Sequence, residues 1–314
     1  MIKKLYASFF LLSVLFVPLE AHSPLLNLTG YDKKSCLELL EQAKLHELWD
    51  AFLQGQADLY FDQEAAFIAK ERGWEQAVSV LEIGSGNGAY LNKLFMQFRE
   101  KAYLGIEKQP ELVLQSTQRF AMEGLSFVEG NVEIKDEALD GKFDVVLFRL
   151  TLQHLKEPRL ALMHAYHYLK PEGHVIIIDA CDRAKRCSHK LPALENAFHL
   201  LNEKNQKTSA GNREITMEIL GELQKGKGHL AAAYDIAFSS LNTEGAIVHE
   251  WMKFDGKNHG KLLFNHGLLI LNLLHKSYEI PVEFEQAYDE LNICLDEGYW
   301  VTPGIHFLVL KKKS

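Results

Sequence analysis

Three glycines at alternate positions, Gly84, Gly86 and Gly88, with Ser85 and Asn87 between them, form the densest chemical signal in this sequence. They follow the short apolar run Val78, Val80, Leu81 and Ile83 and precede a helical face of Leu91, Leu94, Phe95 and Phe98. Glycine lets a backbone bend through φ values closed to other residues and brings a ligand close to the main chain. The helix that follows presents unpaired N–H groups at its start. In an open parallel sheet such a bend lies at the carboxyl ends of the strands, where cofactors bind. Glu107 lies 23 residues after Gly84, at the end of the next short strand, Tyr103 to Ile106. A carboxylate there accepts hydrogen bonds from both hydroxyls of a ribose.

Two cofactor chemistries fit a glycine bend. The loop also reads Gly84-x-Gly86-x-x-Ala89, which admits a nicotinamide dinucleotide and an oxidoreductase. Glu82, two residues before Gly84, favours the other choice. A carboxylate suits a ligand ammonium and is out of place beside a pyrophosphate. S-adenosylmethionine (SAM) carries an ammonium and a sulfonium, so the charge sign favours it.

Beyond the loop, the pattern resembles the class I SAM-dependent methyltransferases over roughly Asp58 to Asp179. VLEIGSGNG (80–88) resembles their first motif and LGIEKQPEL (104–112) their second-strand segment, implying that Glu107 holds the ribose. FVEGNVE (127–133) resembles the third, which implies that Asn131 and Val132 lie beside adenine. Asn131 stands where the family usually has an acidic residue, and its side-chain oxygen still accepts from an amino group. FDVVLFRLTLQHL (143–155) resembles the fourth-strand motif, implying that Arg149 and Leu150 lie near the methionine end with His154 a turn away. LKPEGHVIIID (169–179) resembles the fifth, and Gly211 to Gly228 the helix before strand 6 in small-molecule members. The resemblance implies cofactor contacts from Glu82, Gly84, Ser85, Gly86, Asn87, Gly88, Glu107, Asn131, Val132 and Arg149, with no metal.

Methyl transfer is an in-line displacement at an activated carbon, so positioning supplies much of the catalysis. A base is needed only where the nucleophile must lose a proton. His154 is the candidate for that role, with packing against the next helix as its alternative. Asp144 reads as structural. Tyr60 and Phe61 are placed to cover the methionine end or to pack in the core, and His249, Glu250 and Trp251 to line a substrate pocket. A small-molecule methyl acceptor is expected, with a protein side chain as the other choice. A SAM-fold binding module that has lost catalysis is the third function class.

These residues must be held by the rest of the chain. Residues 39–52 and 62–71 have helical spacing, and short apolar runs at Leu125–Val128, Phe143–Phe148 and Val175–Ile178 alternate with helical segments. This alternation implies an α/β, Rossmann-like doubly wound sheet. The resemblance gives its order as 3-2-1-4-5-7-6 with strand 7 antiparallel. Further on, 191–205, 213–224 and 282–295 read as helices, 234–241 and 304–310 as strands, and Leu268–Leu274 as buried helix or strand. The expected organisation is an apolar leader at 1–21, N-terminal helices at 22–72, a SAM-binding core at 73–182, and a helical cap with closing strands at 183–314.

Hydrophobic residues make up 47% of the 314 and charged residues 24%, enough for a large core. The formal net charge of -8 and the lack of a long basic stripe argue against a nucleic-acid partner. Lys3 and Lys4 precede an apolar run from Leu5 to Val17, then Ala21, a pattern of an export signal. The run is too short for a stable membrane span. Export conflicts with the cytoplasmic supply of SAM, and a cytoplasmic location follows if the segment is not used. The four cysteines allow two disulfides or four thiols, and Cys181, Cys187 and His189 lack the fourth ligand of a zinc site.

Overall fold

The computed structural model describes residues 23–208, 211–240, 253–296 and 300–314. The expected leader at 1–21 and the expected pocket residues His249, Glu250 and Trp251 lie outside the described residues. Among those described, no helix is long and apolar enough to cross a membrane.

A 3-10 turn at Pro24–Gly30 leads to helices α1 (Lys33–Gln42), α2 (Leu45–Ile68) and α3 (Arg72–Glu75). The sheet begins with β1 (Ser79–Ile83), α4 (Ala89–Gln97), β2 (Ala102–Glu107), α5 (Pro110–Phe120) and β3 (Leu125–Glu129). It continues with β4 (Phe143–Arg149), α6 (Pro158–Tyr168) and β5 (Leu169–Ala180). Helices α7 (Pro192–Thr208), α8 (Ile215–Gln224) and α9 (Gly228–Ala233) precede β6 (Tyr234–Ser239). Helices α10 (Gly256–Tyr278) and α11 (Phe284–Asp296) then lead to β7 (Ile305–Lys312). A two-residue antiparallel pair, Arg186–Cys187 with Val301–Thr302, lies apart from the main sheet.

The seven strands are ordered 3-2-1-4-5-7-6. β1 to β5 are parallel, and β7 runs antiparallel to both β5 and β6. This is the expected α/β arrangement. β4, in the middle, carries Val145, Val146, Leu147 and Phe148 with no exposure, as a strand covered on both faces requires. One core layer packs β1, β4 and β5 against α6, α8 and α9, and the other packs the opposite face against α2, α4 and α10.

The N-terminal helices differ from their sequence pattern. Helicity starts at Lys33, capped by Asp32 accepting from the Ser35 N–H, and breaks at Ala43–Lys44. The Glu47 carboxylate accepts the Lys44 N–H and restarts the helix. From there α2 runs for 24 residues through Gly55, joining two segments that periodicity separates. Tertiary contact overrides the local cost of a mid-helix glycine here. The apolar run Leu268–Leu274 is helical, inside α10, and packs along α2.

Two polar ties hold α2 on the sheet. Arg149, at the end of β4, donates from Nε to Glu64 (2.7 Å), with side-chain exposures of 6% and 0%. Its guanidinium also lies 4.1 Å from the centre of the Tyr90 ring and reaches Gln56. Asp50 accepts from Arg119 on α5 (2.7 and 3.0 Å) and from the Asn87 amide (2.8 Å).

Removing one partner of a buried pair strands the other charge without water. Glu64→Ala is therefore expected to cost about 3–5 kcal/mol of folding stability, read from urea unfolding. A loss below about 1 kcal/mol would show that Arg149 finds other compensation.

Candidate active site

The glycine bend owes its form to its neighbours. Gly84, Gly86 and Gly88 have φ of +72°, +55° and +78°, the left-handed region that favours glycine. A Cβ on Gly84 would lie 2.6 Å from Thr151 Oγ1, and one on Gly88 would meet Ser116 and Phe127 at 2.7 and 2.9 Å. Gly86 faces Leu53 of α2 instead, 3.3 Å from where its Cβ would be. The Gly84 and Ser85 N–H groups both donate to the Ile106 carbonyl, which fastens the bend to the end of β2.

Glu107 completes this corner. Its two carboxylate oxygens accept from the Gly86 N–H (3.1 Å) and the Gln109 N–H (3.0 Å), which aims the group along the bend. Each oxygen keeps a lone pair for a ligand hydroxyl.

A cleft of about 1820 Å³ opens over the carboxyl ends of β1, β2 and β4. Gly84, Gly86, Glu107, Asn131, Val132 and His154 line it, as do Gly130 and Leu150. Its far wall comes from α2 (Trp49, Phe52, Leu53, Gln56, Tyr60), from α10 (His266, Ile270, Leu273, Leu274) and from Phe198 and Arg213. Pockets for single drug-sized ligands span roughly 300–1,000 Å³. The cleft therefore has room for a second molecule beside one of that size.

Five of the expected cofactor residues do not line the cleft. Strand alternation turns Glu82 to the face beneath α2 and α4, where it is 2% exposed and its Oε2 has no hydrogen-bond partner among the described residues. Glu82 thus lies beneath the residues that line the cleft, not among them. The Arg149 guanidinium points to Glu64, and the Asn87 amide is taken by Asp50. Gly88 is packed on α5 and β3, and Ser85 is buried behind the bend against Gly105. Of the two expected lid aromatics, Tyr60 lines the cleft, whereas Phe61 packs edge-on against Tyr90 at 5.8 Å.

Several residues without a sequence signal shape the site. The Thr151 hydroxyl donates to the Ile83 or Arg149 carbonyl (3.0 and 2.9 Å), and its N–H donates to Asp179 at the end of β5. Leu150 before it has φ +51°, a conformation costly for a branched side chain and one that clusters at functional sites. Arg213 is held by Asp182 (2.9 Å) and by Gln153 (3.1 Å) at the mouth of the cleft. A polar residue two positions past the fourth strand could have flagged Thr151. Arg213 and His266 sit in the cap, where no pattern marks them.

Electrostatics follow from burial. Burial pushes the Glu82 carboxyl up to about 8, with Arg149 opposing and Glu64 and Glu107 assisting. Asp179 is raised to about 6 by burial against the backbone N–H bonds it accepts. His154 keeps surface open to the cleft, yet enclosure by the walls and the cations Arg213 and Lys108 lower it to about 4. Its imidazole is neutral at pH 7 and, lowered this far, a weak base.

Cys36, Cys181 and Cys187 are free thiols. Among the described residues no cluster of three or more metal-capable side chains occurs.

A methyltransferase-domain family model matches residues 75–256, more than half of the chain. The chain belongs to the class I SAM-dependent methyltransferase family. That membership sets aside the nicotinamide reading, and the family's cofactor is SAM. A malonyl-[acyl-carrier protein] O-methyltransferase of a Paenibacillus strain is 27% identical over 135 residues, 39% of this chain and 49% of that protein. The methyltransferase AacuQ of Aspergillus aculeatus is 22% identical over 60% of this chain and 59% of its own length. The chain thus spans about half the length of the curated relatives it matches. Among solved structures, the plantazolicin methyltransferase BamL has a TM-score of 0.46 at 14% identity, over 93% of this chain and 95% of that one.

Glu82 gives a pH test. Its folded pKa of about 8 exceeds the ordinary 4.5, so the stability tied to its proton is complete below about pH 4.5 and is lost as pH rises towards 8. Glu82→Gln keeps the neutral form at every pH. Its melting temperature relative to the unsubstituted protein should rise between pH 5 and pH 8 in calorimetry without ligand. A difference that stays flat across that range would place Glu82 in a wetter environment.

Proposed function

We propose that the protein transfers the methyl group of SAM to a small-molecule acceptor held in the chamber between the glycine bend and the α2–α10 wall. The observation that carries this reading is one cleft that joins a ribose-type carboxylate and a glycine bend to an apolar chamber larger than the cofactor needs.

The residues present fit SAM. Gly84 and Gly86 offer main chain without side-chain obstruction, and Glu107 offers two aimed carboxylate oxygens for the ribose. Asn131 and Val132, with Gly130, form the wall for the adenine. Glu82 Oε2 is buried and unpartnered directly before the bend, and a cationic group bound beside it would draw off the proton that burial keeps there. When bound, SAM supplies a methyl group already activated by cationic sulfur.

The chain's own residues then have three tasks. The α2 and α10 walls exclude water and fix the acceptor's approach, which is the main source of rate in an in-line transfer. Glu107 fixes the cofactor's ribose. His154 lines the cleft and is the side chain placed to relay the proton that a hydroxyl nucleophile must lose to water at the mouth, holding it only in passing because its ring is a weak base. The malonyl-[acyl-carrier protein] O-methyltransferases among its relatives support an oxygen acceptor here.

Gly86→Arg would drive a side chain against Leu53 from a left-handed backbone, filling the bend. Isothermal titration should show loss of SAM binding with the far-ultraviolet dichroism retained. Unchanged affinity would move the cofactor elsewhere. Glu107→Ala is expected to weaken SAM by about 1–3 kcal/mol in the same titration, from lost charge-assisted hydrogen bonds. No loss would remove the ribose from this corner.

A further inference from the structure

His266 belongs to no motif and makes no hydrogen bond to the described residues, yet it sits in the wall of the cleft. Its ring lies flat on Phe52, with centroids 4.9 Å apart and planes 17° from parallel. Tyr60 meets the same ring edge-on at 5.8 Å and 83°. Both aromatics come from α2, so the imidazole is clamped between two helices that also form the chamber. Buried polar side chains are normally paired, so one left unpaired in the wall of a cavity needs an explanation.

The two ring nitrogens are not equivalent. Nδ1 is buried and has no partner. A sealed lone pair is tolerated better than a sealed N–H, which assigns the proton to Nε2, the nitrogen left on the cleft side. Burial and the nearby Arg149 cation lower the ring to about 4, so it stays neutral near pH 7 and keeps this single N–H. The surroundings are apolar and flat, with Phe52, Trp49, Leu53 and Ile270 along the same stretch of wall.

We propose that His266 is a positioning residue for the acceptor: Nε2–H donates a hydrogen bond to an oxygen of a flat, apolar, hydroxylated ring that lies against the α2 aromatics. This rests on the methyltransferase reading of the cleft and adds the acceptor class, a phenol-like molecule. The aromatic clamp fixes the direction of the donor, so the hydrogen bond sets which oxygen faces the methyl group. His266 does not exchange a proton in this role. That task stays with His154.

The test uses the full chain saturated with S-adenosylhomocysteine and two probes, 2-naphthol and naphthalene, which differ by one hydroxyl. Calorimetric titration should show the unsubstituted protein preferring 2-naphthol by about tenfold, as a hydrogen bond to a buried donor gives. His266→Phe keeps the stack on Phe52 and should reduce that preference to about twofold or less, leaving S-adenosylhomocysteine affinity unchanged. His266→Gln, which retains an N–H donor, should recover part of it. Equal binding of the two probes by the unsubstituted protein, or an unchanged preference in His266→Phe, overturns the proposal. So does failure of 2-naphthol to bind at all. Failure of S-adenosylhomocysteine to bind the unsubstituted protein is a separate signal, and it would bring down the cofactor site itself.

Discussion

The site depends on how α2 is fastened to the sheet. A helix laid across the carboxyl ends of parallel strands would float on its apolar face alone, free to rotate or slide. Here the buried Arg149–Glu64 pair fixes its far end and the Asp50 contacts with Asn87 and Arg119 fix its near end. Buried ion pairs contribute little net stability compared with an apolar replacement, but they specify geometry, because any other register leaves a charge unpaired. That specification places Leu53 over Gly86 and the row Trp49, Phe52, Gln56 and Tyr60 along the cleft.

The same fastening assigns the polar residues around the bend to two layers. Glu107, Asn131 and His154 face the cleft and are available to ligands. Beneath them Glu82, Glu64, Arg149 and Tyr90 form a dry cluster with a carboxylate held near neutrality. The ends of β4 and β5 are tied in a similar way through Thr151 and Asp179, which holds Leu150 in its unusual conformation at the lip of the bend.

The cap completes the chamber. Helices α7 and α10 belong to no catalytic motif, yet they close the chamber with Phe198, His266, Ile270 and Leu273. The glycine bend and Glu107 are thus carried by the sheet, and the opposite wall of the chamber by the helices.

The sequence by itself determined the sheet and the backbone of the site. Alternating apolar runs marked β1 to β5 as strands of a parallel sheet, and the family resemblance supplied their order. Gly84, Gly86 and Glu107 were legible because a bend at a strand end and a carboxylate one strand later are local features. Which way the intervening side chains face was decided only by the tertiary structure. Glu82 and Arg149 are strand-end residues whose sides depend on what covers the sheet, and α2 covers the side they occupy. Asn87 was lost to Asp50, 37 residues away, and His266 was invisible because its meaning comes from Phe52 and Tyr60 across the chamber. Pairings over such separations leave no period in the chain, so only packing reveals them.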